Sequence, residues 1–145
     1  MAEAGWPALR FSAVEVFAVD RIAFSWQARF PLFGPLAMKV VEGYADGDGE
    51  LVVRLLGLPI QRQRGHETSI GEALRYLAEL AWVRYAIGHN RELMWRQLDE
   101  RSVEVATKVG PDLLQVLVEF DAQGDIVRAA AKRPRPDGKT WVPTP

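Results

Sequence analysis

The sequence predicts an α+β fold: a curled antiparallel sheet of about 7–9 strands, with one long central helix at about 69–88 inserted between two strand sets. Three observations predict it. Apolar and polar residues alternate with period two from Phe11 to Leu58. The period changes once, to a 3–4 spacing that begins at Ile70. Alternation then returns from Leu93 onward, punctuated by short turn signals. The chain reads as a single domain, 1–145, with extended or flexible ends at 1–8 and 133–145.

The first strand set runs in order. Phe11 to Val19 is rich in β-branched and aromatic residues, and Asp20 interrupts it. Ile22, Phe24, Trp26, Ala28 and Phe30 then alternate with Ala23, Ser25, Gln27 and Arg29, the pattern of a half-buried strand. Pro31 and Phe33-Gly34-Pro35 end it. Ala37 to Ala45 forms the third strand, and Asp46-Gly47-Asp48-Gly49 turns the chain with glycine supplying positive φ. Leu51 to Leu58 carries only Arg54 as a polar residue, which predicts cover on both faces, and Pro59 closes it or marks an edge.

The helix starts with Ser69-Ile70-Gly71-Glu72, which matches a capping box. Leu74, Leu77 and Ala81 form one apolar line and Tyr76, Leu80, Val83 and Ile87 the next, with Gly88 as the stop. About 18 residues would give a rod of roughly 27 Å. So wide an apolar arc predicts burial on more than one side. In the second strand set Leu93 to Leu98 is short. Val103, Val105, Thr107 and Val109 then alternate, Gly110-Pro111-Asp112 turns the chain, and Leu114, Val116, Val118 and Phe120 share a face. Ile126 to Ala131 follows a turn at Asp121–Gly124. Short connections predict antiparallel pairing, and the helix is the only large cover for the sheet.

The helix carries a signature. Arg75-Tyr76-Leu77-Ala78-Glu79, followed by Trp82 and then Leu93-Met94-Trp95, resembles a bacterial family of unknown function. Phe24-Ser25-Trp26-Gln27-Ala28, Glu42-Gly43-Tyr44 and Val118-Glu119-Phe120-Asp121 with Gly124 resemble its flanking strands and turns. The likeness spans about residues 9–133. Two departures stand out: Val83-Arg84-Tyr85 replaces the Pro that often follows the Trp, and the chain is short at both ends, like a minimal version of the family. The family's layout is similar to the lipoprotein-carrier fold, an open curled sheet around helices with an apolar hollow. The resemblance implies a shape more than an activity.

Composition narrows the function classes. Eighteen Lys and Arg face nineteen Asp and Glu, a net charge of -1, so no global field draws the chain to nucleic acid. The local basic runs, Gln61–Arg64 and 132–139, read as solvated edges. Zero cysteine excludes disulfides, thiolate metal sites and a Cys nucleophile. No apolar run approaches the roughly 20 residues of a membrane span. The opening residues lack a signal-peptide pattern, which predicts a cytoplasmic protein. His66 and His89 bracket the helix too far apart to share a metal, and Asp46, Asp48 and Glu50 fail the calcium-loop pattern at Leu51 and Gly57. No phosphate-cradling glycine loop and no Gly-x-Ser-x-Gly elbow is present. No cofactor and no metal is therefore expected.

The site residues come from the helix and the aromatics. Arg75 and Glu79, with Glu72, form either a solvent-facing ion-pair ladder or a network under the sheet that anchors a polar ligand group. Trp26, Tyr44, Tyr76, Trp82 and Trp95 are either core or the wall of an apolar hollow. Taken together, Trp26, Tyr44, Arg75, Tyr76, Glu79, Trp82 and Trp95 are the expected ligand-binding set. Three functions compete. The first is non-enzymatic binding of a hydrophobic or amphipathic small molecule between sheet and helix. The second is a structural module that forms a homodimer through its sheet faces. The third is a small enzyme that uses Glu79.

Overall fold

The computed structural model describes residues 10–134 and 141–144. Its class is the one the sequence predicts: antiparallel sheets with one main helix. The strands, however, divide into two sheets of five. The first is a meander of β1 (Ser12–Phe17), β2 (Phe24–Pro31), β3 (Ala37–Ala45), β4 (Asp48–Leu55) and β5 (Leu58–Arg64). Next come α1 (His66–Glu79) and α2 (Arg84–His89). The second meander is β6 (Met94–Gln97), β7 (Ser102–Val109), β8 (Asp112–Phe120), β9 (Ile126–Pro134) and β10 (Trp141–Thr144). The rest of the expected extended ends lies outside the described residues.

The single rod at 69–88 is corrected. A first helix of 14 residues, roughly 21 Å long, stops at Glu79, and a second of six follows after a turn at 80–82. The apolar 3–4 spacing runs through the break because Leu80, Val83 and Ile87 stay in phase with Tyr76. The chain does not. Trp82 and Ala86 would share one face of a straight helix, yet Trp82 is 84% exposed and Ala86 is fully buried. Val83, at φ -104 and ψ 60, absorbs the change of direction. Gly88 lies inside α2 and stops nothing.

The capping box also gives way. The helix begins at His66, after Gly65 at φ 117, and no side chain caps it. The Ser69 hydroxyl instead accepts the Gly49 backbone N–H at 2.9 Å and donates to the Gly65 carbonyl at 3.1 Å. This bond seats α1 on β4. The approach is so close that a Cβ at Gly49 would stand 2.8 Å from the Ser69 backbone. β5 is a further strand where the sequence offered only a closure at Pro59. Its hairpin turns through Leu56 and Gly57, both at positive φ, and leucine in that conformation is rare enough to hide the turn.

The core forms around α1, which packs on β3, β4 and β5 of the first sheet and on β7, β8 and β9 of the second. Ile70, Ala73, Leu74, Tyr76 and Leu77 are buried, together with Phe24 and Tyr44 on one side and Val105, Val109, Leu114, Val116 and Val118 on the other. The helix is thus clasped between two layers, as the wide apolar arc predicts. Among the described residues, no helix is long and apolar enough to cross a membrane.

Candidate functional site

Strand register builds the first half of the site. Glu15, Trp26, Glu42 and Leu51 stand opposite one another across β1 to β4, and Phe17, Phe24, Tyr44 and Gly49 form the neighbouring row. These rows face α1, and Arg75 rises from the helix into them. Its Nη2 donates to Glu15 Oε1 at 2.7 Å and its Nε to Glu79 Oε1 at 2.9 Å, while Nη1 donates to Glu42 Oε2. The guanidinium lies 5.0 Å from the Phe24 ring centroid and 5.3 Å from that of Trp26, a cation–π stack on two rings. So Arg75 and Glu79 belong to a network under the sheet, and Trp26 is part of it.

The electrostatics follow from one cation serving three carboxylates, each side chain between 22% and 30% exposed. Burial, then the nearby Glu79 charge, push the Glu15 carboxyl above its usual range; Arg75 opposes the shift without cancelling it. Burial works against the Arg75 charge, but the bond to Glu79 and the three carboxylates outweigh it and hold the guanidinium above its ordinary value. Sequence reasoning found Arg75 and Glu79 but missed Glu15 and Glu42. Their only signal was a carboxylate on the inward phase of an alternating strand, in Val14-Glu15-Val16 and Val41-Glu42-Gly43.

Tyr76 plays a different part. Its ring is fully buried and tilted against Phe17 at 5.4 Å. Its hydroxyl donates to the Ala18 carbonyl at 2.8 Å and accepts from Asn90 Nδ2 at 2.9 Å. Nearby, Glu92 Oε2 accepts the Ile22 backbone N–H at 2.7 Å. These bonds pin the β1–β2 loop to the loop after α2, so Tyr76 joins the two halves of the chain. Burial raises the pKa of its phenol, which keeps it a donor.

The second half of the site is apolar. Where α1 ends early, the inner face of the second sheet is left partly uncovered. A cleft of about 200 Å³ opens there between Leu77, Leu80, Ala81 and Ile87 on the helical side and Trp95, Val103, Val118, Phe120, Ile126 and Ala129 on the strands. Of the expected ligand-binding residues, only Trp95 lines it. Trp26, Arg75 and Glu79 cluster under the first sheet, Tyr76 is in the core, and Trp82 projects outward. Tyr44 is buried and lines a separate polar cleft at the seam of the two sheets. Arg75 and Glu79 are not among the residues that line the apolar cleft. No set of three or more His, Cys, Asp or Glu among the described residues is arranged to hold a metal.

Compared with known proteins, residues 2–145 match a family model described as a family of unknown function, DUF6544. No curated protein and no solved structure matches the chain.

Proposed function

We propose that this chain, which belongs to the DUF6544 family of unknown function, is a non-enzymatic binding domain that holds a hydrophobic or amphipathic small molecule between α1 and the second sheet. The observation that carries this reading is the cleft beneath the helix break. Its walls are side chains of Leu, Ile, Val, Phe, Ala and Trp. An apolar cavity of roughly 150 Å³ is enough to take benzene, and drug-sized ligands use roughly 300–1,000 Å³. At about 200 Å³ the cleft suits a single ring system or a short acyl segment. The likeness to the lipoprotein-carrier fold, an open curled sheet around helices with an apolar hollow, supports the same reading.

Native mass spectrometry of the purified protein and titration with an apolar dye and with six- to twelve-carbon fatty acids test it. Binding of one equivalent is expected. Ala129→Phe, which fills the cleft from β9, should weaken it at least tenfold while the far-ultraviolet spectrum is kept. No bound mass and no dye response in the parent protein would overturn the reading.

A homodimer through the first sheet is the second reading, and one observation favours it. On edge strand β1, Val14 and Val16 are 68% and 64% exposed on the face away from the helix. The strand's one charge, Glu15, is turned inward to Arg75. An edge with neither proline nor an outward charge is open to pairing. Light scattering should then report a dimer in the parent and a monomer in Val16→Lys.

A further inference from the structure

The polar cleft at the seam of the two sheets is a second site. It encloses about 440 Å³, and three cations reach it from separate elements: Arg21 from the β1–β2 loop, Arg91 from the loop after α2, and Lys108 from β7. None of the three forms an ion pair among the described residues. Unpaired cations repel one another and are normally spread apart, so their convergence on one concavity from three places in the chain points to an anion.

The rest of the lining fits. Tyr44 and the buried Thr107 place hydroxyl groups on the wall. Burial first, and then the charges of Glu92 and Asp48, raise the pKa of the Tyr44 phenol, so it stays protonated and can donate. Two carboxylates, Asp46 and Glu92, also line the cleft. Three cations against these two carboxylates leave the lining with one positive charge in excess. Arg and Lys with hydroxyl donors recognise phosphate and carboxylate oxygens by charge-assisted hydrogen bonds.

We infer that the seam cleft formed by Arg21, Arg91, Lys108 and Tyr44 binds a small polyanion, a phosphate-bearing or polycarboxylate compound. This site is separate from the apolar cleft, and neither depends on the other being filled. Isothermal titration of the full chain with inorganic pyrophosphate and with citrate tests it. Saturable one-to-one binding with a Kd of about 1 mM or tighter is expected, weakening as salt rises. A tighter fit for pyrophosphate assigns the phosphate class, and a tighter fit for citrate the polycarboxylate class. Lys108→Glu and Arg91→Glu should each weaken binding at least tenfold. Arg29→Glu, an exposed cation outside the cleft, should leave it unchanged. Absence of saturable binding by both anions up to about ten times that concentration would overturn the assignment. So would an equal loss in Arg29→Glu, because attraction would then belong to the whole surface rather than to the cleft.

Discussion

The two sheets share a topology and differ in what they offer the helix. Both are five-stranded meanders paired only with neighbours in sequence. The second sheet meets α1 with hydrocarbon: Trp95, Val105, Val116 and Ala131 form one inward row, and Val103, Val118 and Ala129 the next. The first sheet meets it with a salt-bridged row, Glu15, Trp26 and Glu42, gathered on Arg75. Burial of apolar area is strong and non-directional. Ion pairs at such partly exposed positions contribute little net energy, but their geometry is fixed. The contrast predicts that the second sheet contributes more of the stability and that the first fixes how the helix is oriented.

The sharpest way to break that contrast is to cut each side in turn. Leu114→Ala, at a fully buried position of β8, should cost about 2–5 kcal/mol in urea unfolding, from lost transfer energy plus the cavity left behind. A cost no larger than that of cutting the Arg75 hub would reverse the assignment of roles. Arg75→Ala comes next, at about 1–3 kcal/mol near pH 7, less than for a fully buried pair because these side chains keep some contact with water. It strands Glu15 beside Glu42 and Glu79, so its penalty should shrink as the pH is lowered and the Glu15 carboxyl, already raised, takes up a proton. A penalty independent of pH would mean that only packing on Phe24 and Trp26 was lost.

The smallest effect sharpens the picture further. In the folded state Glu15 binds its proton more tightly than in the unfolded chain. Wild-type stability therefore falls as the pH rises out of the ordinary carboxylate range and through the raised folded value. Glu15→Gln escapes this penalty. It should match wild type below the ordinary carboxylate range and gain a few tenths of a kcal/mol above the raised folded value, roughly 1 °C in Tm. A loss of stability at neutral pH would show that the bond to Arg75 outweighs burial and repulsion.

Periodicity made the strands and the double-sided helix legible, because Ile22 to Phe30 and Val103 to Phe120 alternate cleanly and Leu74 and Leu77 repeat at helical spacing. What escaped was decided by tertiary structure. The break at Val83 leaves the apolar phase intact, so no periodicity reports it. Ser69 has the residue type of a cap, but its hydroxyl is engaged by Gly49, twenty residues away in sequence. β5 reads Leu58-Pro59-Ile60-Gln61-Arg62-Gln63-Arg64, an exposed edge whose proline and charges mask a strand. At the site, Arg75 and Glu79 are neighbours on a helix and could be paired on paper. Glu15 and Glu42 meet them only through sheet register, and the apolar cleft is a void that no residue pattern encodes.

The nearest-neighbour wiring of the meanders bears on how the chain reaches this state. Every hairpin closes over a short loop, so zipping either layer costs little chain entropy. The expensive long-range event is the docking of the two preformed layers on opposite flanks of α1. The bonds of Tyr76 to Ala18 and Asn90, and of Ile22 to Glu92, are among the long-range contacts that this docking brings together.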